Sequence, residues 1–168
     1  EIEEKNKTKA VEKARSKSGI TVRGIHDVSV RFSKCCSPVP GDEIIGFVTR
    51  GRGISIHRTD CVNVLGMPES DRARLIDAEW EEAVEKGGEL YMTEICLYAH
   101  NRTGILLDIS KVFMELKVDI KSVSTRTSKQ GLATIVLSFE IGGIDELNHI
   151  IKKLRNIESV IDIERSAG

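Results

Sequence analysis

LYMTEICLYA, residues 90–99, alternates apolar and polar side chains, and the segment that follows it changes period. Period-two spacing predicts a strand with Ile95, Leu97 and Ala99 on one face and Glu94, Cys96 and Tyr98 on the other. From residue 103, TGILLDISKVFMEL sets Ile105, Leu106, Ile109, Val112, Phe113 and Leu116 at helical spacing. IKSVSTRT (120–127) and LATIVLSFEI (132–141) then read as two strands joined around SKQG, a hairpin signal. DELNHIIKKLRN (145–156) is a second amphipathic helix carrying Leu147, Ile150, Ile151 and Leu154, and VIDIER (160–165) a last strand. The order βαββαβ is the split ferredoxin-like arrangement, with both helices on one face of a four-stranded antiparallel sheet. The other face presents Cys96, Tyr98, Val136 and Ser138. That mixture suits water yet is apolar enough to pair, so a homodimer or a docked domain is expected there.

Upstream, residues 20–65 are β-rich. ITVRG and DVSVRF alternate as short half-buried strands do, and EIIGFVT and ISIHR flank RGRG as the arms of a hairpin. The glycines of that turn are expected at positive φ. SPVPGDE should run extended and then turn. Residues 66–89 are acidic, contain a candidate strand at LIDAEW, and end in Gly87-Gly88, which reads as a domain boundary. Residues 1–18, rich in Lys, Glu and Ala, read as the end of a helix stopped at Gly19. A chain that starts in mid-helix is expected to be a piece of a longer protein. The fold class is therefore α+β: the end of a helical segment at 1–19, a small β-rich cysteine domain at 20–86, and a ferredoxin-like βαββαβ domain at 87–168.

With 40% hydrophobic and 30% charged residues, the composition is that of a soluble folded chain. Aromatics make up only 4%, so the cores should be built from Ile, Val and Leu. No apolar run approaches the roughly 20 residues that cross a bilayer, and the charged N-terminus is no signal peptide. Four cysteines are too few for a disulfide scaffold and suit a reducing compartment, the cytoplasm, with no membrane partner.

Three cysteines and a histidine, Cys35, Cys36, His57 and Cys61, fall within one short span. They can supply a complete Cys₃His shell for structural zinc, provided that the backbone turns at the adjacent cysteines. Ordinary buried thiols explain the same residues. A thiol enzyme fits less well, because no nucleophile elbow or acid–base pair accompanies them, and no residue reads as catalytic. Lys34, Arg50, Arg52 and Arg58 can form a basic edge suited to RNA phosphates, or serve only as solubilising charge. Around the first strand–helix junction, Asn101, Arg102, Thr103, Gly104 and Ile105 form a candidate ligand loop. Gly104 allows close approach and the free N–H groups favour an anion; a plain helix start capped by Asn101 or Thr103 is the simpler account.

KCCSPVPGDEIIGFVTRGRGISIHRTDC closely resembles the conserved-cysteine, zinc-finger or RIS domain near the C-terminus of long RelA/SpoT-type (p)ppGpp synthetases and hydrolases. NRTGILLDIS resembles the ACT domain that follows it in that family. The resemblance implies that zinc is held by Cys35, Cys36, His57 and Cys61, with Asp60 in support. It implies that the chain is the non-catalytic regulatory end of a GTP pyrophosphokinase of the stringent response, whose bifunctional members also hydrolyse the product. Its partners would be the ribosome, through 23S rRNA, and tRNA, both reached through the full-length protein. The competing reading is an ACT-type dimerisation module that senses a small amino acid.

Overall fold

Period-two segments become strands throughout the computed structural model, which describes residues 19–22, 29–82 and 88–166. The helix expected over 1–18 lies outside the described residues, as does Gly87. The first sheet contains β1 (Ile20–Val22), β2 (Val30–Phe32), β3 (Ile44–Val48), β4 (Ile54–Arg58) and β5 (Leu75–Trp80), in the order β1-β5-β3-β4-β2. Its neighbours pair antiparallel except β2 and β4, which run parallel. Two short helices, α1 (Val62–Leu65) and α2 (Glu69–Arg72), connect β4 to β5. One face of this sheet is apolar, with Ile20, Val22, Ile44, Ile54, Ile56 and Ala78 buried together. The register aligns Arg31 with Ser55, Ser55 with Phe47, and His57 with Ile45, so these five occupy the opposite face. The expected hairpin joins β3 to β4, closed by Thr49 N–H donating to the Gly53 carbonyl at 2.9 Å. Gly53 has φ +76°, and a Cβ there would run into the Ser29 carbonyl oxygen, so only glycine fits.

The second unit contains β6 (Tyr91–His100), α3 (Ile105–Glu115), β7 (Ile120–Thr127), β8 (Leu132–Ile141), α4 (Ile144–Arg155) and β9 (Val160–Arg165). Its sheet order is β7-β8-β6-β9, all antiparallel, which is the βαββαβ topology read from the sequence. Ile95, Leu97, Ala99, Ile135, Leu137 and Phe139 are fully buried against Ile109, Phe113, Leu147, Ile150 and Leu154 of the helices. Cys96, Tyr98, Val136 and Ser138 lie on the other, open face. Leu106 departs from its expected inward place and is 43% exposed. Ile105, Ile109 and Phe113 define the stripe, and Leu106, turned about 60° from its centre, lies at its margin. Neither Asn101 nor Thr103 caps α3; the N-cap is Gly104, at φ +85°, with no side-chain bond. Among the described residues no helix is long and apolar enough to cross a membrane.

The segment between β2 and β3 joins the two sheets. Val39 is fully buried in the core of the second unit. The Pro40 carbonyl accepts the N–H of Ile144 at 2.8 Å, satisfying a donor at the start of α4. A Cβ on Gly41 would collide with the Ile144 side chain. Asp42 takes the Arg165 guanidinium bidentately at 2.7 and 2.8 Å and the Val39 N–H at 2.8 Å, while its carbonyl accepts the Trp80 indole N–H at 3.1 Å. Trp80 stacks on Phe32 at 5.6 Å, and Tyr91 meets both rings edge-on, so these three aromatics gather at the joint and make the two cores continuous.

The side chains of Asp42 and Arg165 are 9% and 15% exposed. Removing one partner leaves a buried charge alone, at a cost of about 3–5 kcal/mol, whereas removing both costs less. Urea unfolding of Arg165→Met, Asp42→Asn and the double variant should show the double variant more stable than Arg165→Met. Strict additivity would mean that the pair does not couple the two units.

Candidate metal centre

The two adjacent cysteines share a site because the chain turns at them. Ser37 N–H donates to the Ser33 carbonyl at 3.0 Å, and Ser37 itself has φ +44°. That turn brings the Cys35 and Cys36 sulfurs to one side, 3.9 Å apart. His57 projects from the outward face of β4, and Cys61 stands at the N-terminus of α1, its carbonyl accepting the Val64 and Leu65 N–H groups at 2.9 Å. Cys35 Sγ lies 3.6 Å from Cys61 Sγ and 3.4 Å from His57 Nδ1, and Cys36 Sγ lies 3.8 Å from the same nitrogen. All four ligand atoms lie within 4.8 Å of one another, and the thiols are free. With bonds of about 2.3 Å to sulfur and about 2.0 Å to nitrogen, a tetrahedral zinc site has edges of about 3.5–3.8 Å. The donor set and its spacing therefore fit a zinc-type ion, and the four side chains converge on one point.

Burial favours the uncharged forms of Cys36 and His57. Burial pushes the Cys36 thiol up to about 12, opposed by the Arg58 backbone N–H, which donates to its sulfur at 3.3 Å. Burial also pushes the His57 imidazole below its usual range, favouring the neutral form that binds metal. A thiolate here needs a compensating cation, and a bound metal is such a cation.

Of the basic edge, Lys34, Arg50 and Arg52 are exposed, the last two at the tip of the β3–β4 hairpin. Arg58 is not part of it. It lies on the inward side of β4, 5% exposed, paired through two nitrogens with Asp60 at 2.8 and 2.9 Å. One of its nitrogens also donates to the Cys36 and Ser166 carbonyls at 3.3 Å. Alternation along ISIHR places Arg58 with Ile54 and Ile56, so the signal for its burial was in the strand pattern. The same alternation marks Arg31 and Phe47 as outward. Arg74, whose guanidinium carbon lies 4.6 Å from the Phe47 ring centre, precedes β5 and had no such signal.

The loop before α3 is held by its own residues. The Arg102 guanidinium pairs with Asp108 and donates to the Glu158 carbonyl at 3.1 Å and Ser159 Oγ at 3.2 Å. Asn101 N–H donates to the Gly131 carbonyl at 2.8 Å, Thr103 and Gly104 are exposed, and Ile105 is buried in the core.

Residues 20–81 match the RelA/SpoT RIS domain family and residues 87–165 the ACT domain family. A GTP pyrophosphokinase of Streptomyces coelicolor is 38% identical over 91% of this chain and 18% of its own length. The bifunctional (p)ppGpp synthase/hydrolase RelA of Mycobacterium tuberculosis is 37% identical over 88% of this chain and 19% of its own. The chain thus spans about a fifth of the length of these relatives. The crystal structure of the ACT domain from a Chlorobium tepidum GTP pyrophosphokinase aligns with 46% of this chain and 99% of its own at 22% identity, with a TM-score of 0.41.

The thiol and imidazole shifts set the pH response of chelator-treated protein. Cys36, raised in the fold from 9.0, contributes stability below pH 9 that is lost as pH climbs toward about 12. His57, lowered from 6.5, contributes stability above pH 6.5 that is lost as pH falls through its folded value. Thermal melts in chelator should therefore be flat between about pH 6.5 and 9 and decline on both sides. A profile unchanged by Cys36→Ala and His57→Ala would remove these groups as its source.

Proposed function

Because the chain belongs to the RelA/SpoT family through its paired RIS and ACT domains, we propose that it is the non-catalytic regulatory part of a longer GTP pyrophosphokinase. In this reading it seats the enzyme on the ribosome, against 23S rRNA and beside tRNA. It passes the state of that contact to synthetase or hydrolase domains elsewhere in the longer protein. Zinc held by Cys35, Cys36, His57 and Cys61 supplies the structural charge that lets buried thiolates form and so fixes the turn at residues 34–36.

One observation carries the RNA reading. The candidate metal ligand His57, the exposed Arg31 and the outward Phe47 share one face of the first sheet, with Arg50 and Arg52 at its hairpin tip and Lys34 in the metal turn. Among the described residues no ion pair ties Arg31, Lys34, Arg50 or Arg52 to a carboxylate. Unpaired cations at the rim of a rigid sheet suit phosphate contacts, which position a module without reading sequence. The amino-acid-sensing reading draws less support. Arg102, the cation of the candidate ligand loop, already uses donors on Asp108, Glu158 and Ser159.

Protein purified without chelator should carry about one zinc per chain, and Cys61→Ser should lose both the zinc and thermal stability; absence of zinc in both would overturn the assignment. Ribosome co-sedimentation across a salt series gives a second check. Arg50→Ala with Arg52→Ala should weaken association and shallow the log–log salt slope by nearly one unit per lost contact. Arg58→Ala should instead lower the melting temperature of the chain, since it leaves Asp60 and the Cys36 carbonyl without their partner. Ribosome association of the double variant equal to the parent at every salt concentration would reduce these arginines to solubilising charge.

A further inference from the structure

We infer that Phe47 and Arg74 form a stacking site for an unpaired RNA base. The inference rests on the reading that this face meets RNA, and adds to it a contact that phosphate binding does not require. Phe47 is an outward aromatic, half-exposed, in register with the small Ser55 on one side and Leu75 on the other. The Arg74 guanidinium carbon lies 4.6 Å from its ring centre. Two bonds hold that arrangement: Arg74 Nε donates to the Val48 carbonyl at 2.9 Å, and the Val48 N–H donates back to the Arg74 carbonyl at 2.9 Å. The guanidinium is thus fixed at its Nε while its other nitrogens donate to no partner among the described residues. Nor does any carboxylate there pair with it.

A pre-positioned guanidinium laid over an aromatic ring offers its outer plane to a nucleobase, which can lie flat on it and extend the stack, because every base offers a π-face that stacks on a guanidinium plane. Holding the arginine in place beforehand removes part of the ordering cost of binding. The surrounding charge suits the attached phosphates. Arg31 lies in the same cross-sheet row, separated from Phe47 only by Ser55, and Arg50 and Arg52 follow β3 at the hairpin tip. Asp77 and Glu79, the acids on this face of β5, lie further along that strand and bound the basic zone on one side. A fully paired duplex keeps its bases stacked inside, so the site selects a bulge, loop or single strand.

The test compares two RNA hairpins that differ by one bulged 2-aminopurine, with this chain at several salt concentrations. Fluorescence anisotropy gives affinity, and the 2-aminopurine emission reports stacking. The parent chain should bind the bulged hairpin about five- to 150-fold tighter than the paired one, with emission quenched on binding. Phe47→Leu and Arg74→Lys, which retain apolar surface and charge respectively, should each bring that ratio toward one. Neither should change the salt slope. Equal affinity of the parent chain for both hairpins, with a steep salt slope, would overturn the stacking site while leaving the basic face intact. A failure to bind either hairpin overturns both readings. An unchanged ratio in both variants, with circular dichroism matching the parent, assigns the preference to other residues and overturns the site as placed.

Discussion

A single buried carboxylate, Asp42, organises the junction on which the relative placement of the two sheets depends. Its oxygens take a bidentate guanidinium from the last strand of the second sheet and a backbone N–H from its own turn, and its carbonyl takes the indole N–H of Trp80. Planar fork-to-fork pairing fixes angle as well as distance, which a hydrophobic contact of equal area does not do. A buried ion pair adds little net stability against an apolar replacement, so its contribution here is orientation. Around it Val39 fills the second core and Pro40 receives the first donor of α4, leaving the short segment no independent conformation.

The candidate metal centre is tied to the same junction. The Ser37 carbonyl, one residue past the paired cysteines, accepts a second bond from Arg165 at 3.3 Å. Arg58 joins the Cys36 carbonyl to the Ser166 carbonyl from the other side. Any rearrangement of the cysteine turn therefore strains contacts to β9. Networks of this kind give a physical route from a site on one domain to the orientation of its neighbour. The hairpin end of the outward face, beyond His57, is free of this network, which leaves Arg50, Arg52 and Phe47 accessible while the inward side bears the structural load.

Much of this was legible beforehand, for reasons that can be named. The second unit's elements follow from period-two and period-3.6 spacing, and its topology from their order alone. Leu106 escaped because a helix stripe only a few residues wide is ambiguous at its margin, and the actual center of packing, Ile105–Ile109–Phe113, is set by the partner sheet. The cap at Gly104 escaped because a backbone conformation, with no side-chain acceptor, begins the helix. Arg58 carries opposed signals, a charge that favours solvent and a strand parity that turns it inward; Asp60, two residues on, is what makes a buried guanidinium tolerable.

The sequence by itself determined the two β-containing units, their order, and a candidate ligand set of three cysteines and a histidine, since each rests on local period or residue type. Only the tertiary structure decided that Cys35 and Cys36 face one point, because that depends on a turn closed between Ser33 and Ser37. It also decided that Asp42 meets Arg165 across 123 residues of chain. Long-range pairings carry no local signature: either residue alone is a common surface charge, and their encounter follows from how two sheets pack.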